Sequence, residues 1–337
     1  MLREKVAAVA AGESLSIADA EAVMCHLVSG EASPALAGAL LTALKIKGET
    51  AEEITGFARG MRAHAERVEP RCERLVDTCG TGGGGVSTFN ISTTAAFVVA
   101  GAGVSVAKHG NRAITSACGS ADVLEALGVR IDLPPAAICA CIEEVGIGFL
   151  FAQAHHPAMR HVGPIRRELP FRTIFNCLGP LTNPAGARSQ LVGVYEPRLV
   201  PLLAEALRQL GCEHALVVHG TNGLDELSTL GPSLIAEVSG DTVTCSERYP
   251  EDFGLQLASA SELAPGANAS ENAAITRTIL AGAPGPRRDI VVLNAAAALV
   301  AAGLVDTIEG GLQLSAASID SGAAQGKLES LIARTNA

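Results

Sequence analysis

Charge is scarce in this 337-residue chain: 18% of residues are Asp, Glu, Lys or Arg, against 48% hydrophobic. A sequence this apolar cannot stay solvated, so disorder is excluded and a sizeable buried core is expected. Positive charge is scarcer still. Lys and Arg number 25 against 35 Asp and Glu, a formal net charge of -10. Such a chain is a poor general binder of nucleic acid or anionic membrane, and any anionic ligand needs a local cationic pocket. No Cys-x-x-Cys pair occurs among the nine scattered cysteines, which argues against a disulfide framework or a zinc site. The most apolar stretches, Ala95 to Ala107 and Ile290 to Gly303, are interrupted by Ser105 and Asn294 and fall short of the ~20 residues a bilayer span needs. The opening Met1-Leu-Arg-Glu-Lys-Val-Ala lacks the apolar core of a signal peptide, so the expected compartment is the cytoplasm.

Length predicts two domains, or one large one with an appendage. The first ~65 residues read as helices only. Ser16 with Asp19 resembles a capping box, Ser33-Pro34 an N-cap with proline at the first helical position, and Thr50 with Glu53 a second capping box. These three short amphipathic helices need something further to pack on. After Pro70 the pattern alternates. Strands are predicted at Leu75-Val76, Val104 to Ala107, Val129 to Ile131, Ile147 to Phe151 and His214 to Val218. Helices are predicted over Ser92 to Ala102, Ser120 to Leu127, Pro135 to Glu144 and Pro197 to Leu210. Alternation of this kind argues for an α/β fold with a mainly parallel central sheet, whose ligands bind at the carboxyl ends of strands.

The loops at those ends hold the chemistry. Asp77-Thr-Cys-Gly80-Thr-Gly82-Gly83-Gly84-Gly85 follows a strand. Its glycines cost conformational entropy and have no packing value, so the backbone must approach something closely, and exposed N–H groups suit phosphate. The stretch matches G-x-G-x-x-G, but a dinucleotide site wants an acid ~20 residues on. Between Val86 and Ala121 there is none; Lys108 and His109 stand there instead. Ser87 to Thr94 places hydroxyls and an amide at a helix start, either as caps or as donors to an anion. Lys108-His-Gly-Asn-Arg112 is a second donor-rich loop, or a solvated turn. The stretch from His155 to Arg172 carries four arginines and one acid; one arginine could take a carboxylate bidentately, or all could be a solvated helix face. Asp225-Glu226, in a glycine-bordered loop after a strand, suits Mg²⁺ bridging to phosphate, or is two surface acids.

In this order the pieces resemble the anthranilate phosphoribosyltransferase family. The matching strings are Gly80-Thr-Gly-Gly, Thr88-Phe-Asn-Ile-Ser-Thr, Lys108-His-Gly-Asn-Arg-Ala, Gly119-Ser-Ala-Asp-Val-Leu-Glu-Ala-Leu-Gly, His156-Pro-Ala-Met, Arg172-Thr-Ile-Phe-Asn-Cys-Leu-Gly-Pro-Leu-Thr-Asn-Pro-Ala and Gly223-Leu-Asp-Glu. The resemblance covers nearly the whole chain. It implies a small N-terminal helical domain, 1–68, with a segment near 170–190 packed against it. It implies a larger α/β catalytic domain, 69–337, of the nucleoside phosphorylase/phosphoribosyltransferase type. The implied reaction joins anthranilate to phosphoribosyl pyrophosphate and releases pyrophosphate, in tryptophan biosynthesis, with two Mg²⁺ ions and a homodimer joined through the helical parts. Phosphoribosyl pyrophosphate would be bound by Gly80, Gly83, Gly84, Thr88, Asn90, Ile91, Ser92 and Thr93. Lys108, His109, Gly110, Asn111, Arg112, Ala113, Ile114, Thr115, Ser116 and Ser120 would complete that site. Gly80, Asn111 and Arg166 would meet anthranilate. Ser92 would touch one metal ion, and Asp225 with Glu226 would hold the other. The amine is already nucleophilic, so no general base is implied.

One departure bears on the metal. The family reads Gly-Thr-Gly-Gly-Asp-Gly where this chain has Gly84 in place of the aspartate, which keeps the backbone donors and removes a negative charge. Thr115 for serine and Pro170-Phe171 for glycine-isoleucine are smaller departures. A pyrimidine nucleoside phosphorylase shares the fold type but resembles the chain less, because Lys108-His-Gly-Asn-Arg belongs to the transferases. A non-catalytic nucleic-acid binder is disfavoured by the net charge, whereas a paralogue acting on another aryl amine stays open.

Overall fold

The computed structural model describes residues 1–113 and 118–337. Its first elements are α1 (Leu2–Ala10), α2 (Ile17–Val28), α3 (Pro34–Lys47) and α4 (Ala51–Ala63). The Ser33 hydroxyl accepts the Leu36 N–H at 3.3 Å. The Thr50 hydroxyl accepts the Glu53 N–H at 3.2 Å, and the Glu53 carboxylate returns to the Thr50 N–H at 2.9 Å, a full capping box. Ser16 caps α2 through the Asp19 N–H at 3.1 Å, but the Asp19 carboxylate pairs with Lys5 at 2.7 Å instead of closing the box. The sequence reading of three helices missed α1. Only Leu2 and Val9 of it are buried, too thin a stripe to be seen as periodicity.

From Leu75 onward helices and strands alternate: β1 (Leu75–Gly80), α5 (Ile91–Gly101), β2 (Ser105–Gly110), α6 (Ser120–Leu127), α7 (Pro135–Ala140) and β3 (Ile147–Phe151). The short helices α8 (Ala152–His155), α9 (Gly163–Glu168) and α10 (Phe175–Leu178) lead to β4 (Ser189–Gly193), α11 (Leu199–Gln209), β5 (His214–Gly220), β6 (Ser233–Ser239) and β7 (Thr242–Arg248). The chain ends in α12 (Ala269–Leu280), α13 (Pro286–Ala301), α14 (Ile308–Asp320) and α15 (Ala323–Thr335). The sheet order is β3-β2-β1-β4-β5-β6-β7, with the first five strands parallel and the last two antiparallel.

One predicted strand is absent. Val129 to Ile131 is irregular, because Gly128 (φ 100°) ends α6 and the Val129 N–H returns to the Leu124 carbonyl at 2.9 Å. The Arg130 N–H then goes to the Thr335 hydroxyl at 3.2 Å. A short apolar run does not tell a strand from a buried connection.

Alternate residues of the strands face two cores. Leu191, Leu216 and Val218 pack with α5, α13 and α15 on one face. Val192, Ala215 and Val217 face the other, and there α11 and the N-terminal helices share one continuous core with Ile174, Phe175 and Leu178. Phe57 of α4 meets Phe175 edge-on at 6.5 Å, and Arg62 Nε donates to the Leu181 carbonyl at 2.6 Å. Among the described residues no helix is long and apolar enough to cross a membrane.

Candidate active site

Strand order turns back at β1. The chain leaves it to build β2 on one side and later returns as β4 on the other. A crevice opens at such a switch point, outside the strand ends. Gly80 and Gly193, paired across β1 and β4, form its floor, and the loop after β5 enters it. A Cβ on Gly193 would stand 1.7 Å from the Asp225 carbonyl oxygen, and one on Gly80 would stand 3.2 Å from the Asp225 carboxylate. Position 193 therefore has to be glycine for Asp225 to sit there.

The glycine loop folds over the same acid. The Thr81 N–H donates to the Gly193 carbonyl at 2.9 Å, the Tyr195 N–H to the Thr81 hydroxyl at 3.0 Å, and the Gly85 N–H to the Gly223 carbonyl at 2.6 Å. A Cβ on Gly84 would stand 2.6 Å from the Gly223 carbonyl oxygen and 3.1 Å from Asp225 Oδ1. Arg172 donates to the Gly83 carbonyl, with its guanidinium 4.0 Å above the Tyr195 ring. The sequence reading assigned Arg172 no role; its signals were membership of the basic stretch and its place at the head of a family-matching string. Of that stretch's other arginines, Arg160 donates to His161, while Arg166 lies half-buried on α9, 5.2 Å over the Phe175 ring. Burial pushes the Arg166 guanidinium below its ordinary value, and no carboxylate pairs with it among the described residues. That leaves Arg166 as a desolvated cation ready for a carboxylate ligand.

Behind the loop lies a buried charge network. Lys108 Nζ donates to the Thr78 carbonyl and, at 3.4 Å, to the Ser92 hydroxyl. Asp77 accepts the His109 N–H at 3.1 Å and Asn183 Nδ2 at 2.7 Å, and Asn183 also donates to the Ala107 carbonyl at 2.8 Å. Glu226 Oε1 accepts the Ser92 N–H at 3.2 Å, in the first turn of α5. Burial, with Asp225 beside it, pushes Glu226 up to about 8, and burial also raises Asp225. Two adjacent carboxylates held in this way favour a cation. They offer hard oxygen donors only, and among the described residues no third acid, His or Cys joins them. Such a set fits Mg²⁺, which keeps waters and shares substrate phosphates rather than filling an all-protein cage.

The remaining predicted residues divide between ligand-facing loops and their supports. Asn90 starts α5 without capping it; its amide donates to the Cys118 carbonyl at 3.1 Å, and its buried Oδ1 has no partner among the described residues. Ile91 and Thr93 are buried and Thr88 is half-buried. Ser120 holds Asn111 from both sides, at 3.1 and 3.2 Å, and a Cβ on Gly110 would meet its hydroxyl at 2.1 Å. The Ala113 N–H goes to Asp122 at 2.9 Å. Arg112 turns to α6, pairing with Asp122 at 3.1 Å and with Glu125. His109 Nδ1 donates to the Gly179 carbonyl at 3.1 Å, and the ring meets His156 edge-on at 5.3 Å. Ile114, Thr115 and Ser116 lie outside the described residues.

Comparison with known proteins covers both parts of the chain. Residues 3–65 match the helical bundle domain of a glycosyl transferase family, and 72–325 match that family's a/b domain. An anthranilate phosphoribosyltransferase of Symbiobacterium thermophilum is 58% identical over 95% of this chain and 94% of its own. Another, of Rubrobacter xylanophilus, is 56% identical over 98% and 97%. The crystal structure of anthranilate phosphoribosyltransferase from Thermus thermophilus superposes with a TM-score of 0.94 at 45% identity, covering 99% of both chains. The Saccharomyces cerevisiae enzyme in complex with PRPP and Mg gives 0.90 at 28% identity, covering 99% and 98%.

Proposed function

The chain belongs to the anthranilate phosphoribosyltransferase family, and on that premise we propose how its own residues carry the reaction. The enzyme transfers the phosphoribosyl group of 5-phosphoribosyl 1-pyrophosphate to the amine of anthranilate, giving N-(5-phosphoribosyl)anthranilate and pyrophosphate, in tryptophan biosynthesis. The observation that carries the assignment of roles is the convergence of the glycine loop, the start of α5 and the Asp225-Glu226 pair at the β1/β4 switch point.

The amine nitrogen attacks the anomeric carbon as the bond from that carbon to the pyrophosphate oxygen breaks; the pyrophosphate leaves with the bonding pair, and the nitrogen's extra proton passes to the pyrophosphate or to water. Gly80, Gly83, Gly84, Thr88 and Asn90 to Thr93 hold the pyrophosphate with backbone and hydroxyl donors. Lys108 adds charge beneath them, and Gly110 to Ala113 with Ser120 shape the neighbouring wall. Arg112 and Ser120 act through loop structure, since their side chains bond α6 and Asn111. Arg166 takes the anthranilate carboxylate, with Gly80 and Asn111 beside the ring. Asp225 and Glu226 hold one Mg²⁺ and Ser92 touches a second. The bound metal supplies charge that stabilises the departing pyrophosphate. Everything else is alignment of two substrates and donors fixed where charge grows, with no protein base.

The division of labour follows the chain: residues 1–68 form the helical domain and 69–337 the catalytic one, with 170–190 against the former. The change from helices alone to alternating structure between α4 and β1 supports that boundary. The helical part is also where two copies join as a homodimer; Ile46, an apolar side chain 81% exposed at the end of α3, supports that reading. The working compartment is the cytoplasm. Arg166→Ala tests the carboxylate assignment. A charged hydrogen bond of ~1.5–3 kcal/mol predicts an anthranilate KM raised about 10- to 100-fold with little change for phosphoribosyl pyrophosphate; equal effects on both substrates would count against it.

A further inference from the structure

After Asp289 the only polar residue of α13 is Asn294, and it is fully buried. A buried amide costs free energy unless its donors and acceptor are matched. Asn294 matches them in an unusual place. Its Oδ1 accepts the Leu227 N–H at 3.0 Å, and its Nδ2 donates to the Leu227 carbonyl at 2.9 Å and to the Ile290 carbonyl at 2.8 Å. Only one orientation of the amide satisfies all three. Leu227 is itself fully buried and directly follows the acid pair. The side chain thus does for Leu227 what a neighbouring strand would do, gripping both its N–H and its carbonyl.

The same helix packs along α5. Helix α5 carries Ser92, whose N–H bonds Glu226 and whose hydroxyl receives Lys108. Both elements that face the metal are therefore referenced to α13: α5 by packing, and the acid loop by the Asn294 clamp. A loop anchored at residue 227 holds the carboxylates of 225 and 226 at a fixed distance from Ser92. Without the clamp, the Leu227 N–H and carbonyl lose their buried partner and the loop must shift to recover them.

We propose that Asn294 is a positioning residue for the acid pair, setting through the Leu227 backbone where Asp225 and Glu226 stand and so how tightly Mg²⁺ is held with phosphoribosyl pyrophosphate. This rests on reading Asp225 and Glu226 as metal ligands. Residues that orient metal ligands from behind typically change metal affinity or activity 10- to 100-fold when lost.

The test uses the full-length enzyme with Asn294→Ala, Asn294→Ser, Leu299→Ala and Asp225→Asn. Leu299 is a buried residue of the same helix, so its truncation loosens packing while leaving the clamp. Binding of phosphoribosyl pyrophosphate with Mg²⁺ is followed by calorimetry without anthranilate, alongside the half-saturating Mg²⁺ in turnover and the anthranilate KM. Asn294→Ala is expected to weaken Mg²⁺-dependent binding about tenfold and leave the anthranilate KM alone, while Leu299→Ala lowers the thermal midpoint without moving either. Should Asn294→Ala fail to fold, Asn294→Ser carries the same expectation. Metal binding unchanged in the asparagine variants, or changed as much by Leu299→Ala, overturns the proposal if Asp225→Asn still abolishes it. Normal metal binding in Asp225→Asn overturns the ligand assignment and this inference with it.

Discussion

A methyl group on Gly84 would stand 2.6 Å from the Gly223 carbonyl oxygen and 3.1 Å from an Asp225 carboxylate oxygen. Glycine at this position lets the loop lie directly on the acid loop, with Gly85 bonded to Gly223 at 2.6 Å. Gly84→Asp therefore has two consequences. The loop must lift, which lowers the melting temperature of the metal-free protein, and a new carboxylate next to Asp225 attracts the cation. The half-saturating Mg²⁺ is expected to fall severalfold relative to the natural chain; superimposable Mg²⁺ titrations would contradict this. A second residue-scale consequence concerns pH. Burial, followed by the neighbouring His156, pushes His109 down to about 3, and burial with His155 pushes His156 to about 4. Both stay neutral in the folded state while the unfolded chain takes up their protons below ~6.5. Their contribution is fully present above that value and is lost as pH falls toward 4 and 3, at up to ~1.4 kcal/mol per pH unit for each ring. His109→Asn should show a shallower loss of stability between pH 6.5 and 4.5 in denaturant titrations. A slope equal to that of the natural chain would contradict the assignment.

Among the elements, those that announced themselves did so through end chemistry. Ser33-Pro34 and Thr50 with Glu53 mark α3 and α4 because their hydroxyls have backbone donors to satisfy within three residues. Helix α1 has no such cap and only two buried side chains. Strand β4 was not read at all: Ser189 to Gly193 is five residues long and gains its identity from lying between β1 and β5, a long-range fact. The site shows the same division. The glycine loop and Asp225-Glu226 stand out locally, since glycine runs and adjacent acids are costly without a ligand. Residue type and spacing leave the choice among the four arginines open, and Arg166 is named only through the family resemblance; Asn294 reads from sequence only as an interruption in an apolar run. Phe57 ties α4 to α10 through Phe175. Phe57→Ala at that buried joint is expected to cost about 3–5 kcal/mol in one cooperative transition, because the helices and the sheet face share a core. Two separated transitions in calorimetry would show that they do not fold together.

For the whole molecule, the switch point explains why an acidic chain can handle a polyanion. Its net charge of -10 gives no general attraction, so under the proposed roles binding depends on local donors: the glycine loop, the α5 start and Lys108, with Mg²⁺ at the acid pair. Metal and phosphoribosyl pyrophosphate are then needed together, since neither the carboxylates nor the pyrophosphate tolerates the other without it. The most direct measurement is the loss of anthranilate fluorescence with purified enzyme and phosphoribosyl pyrophosphate across a Mg²⁺ titration; the chain has no tryptophan to interfere. Anthranilate should be consumed only when both the second substrate and Mg²⁺ are present. Consumption that persists without the metal, or none under any condition, would contradict the account.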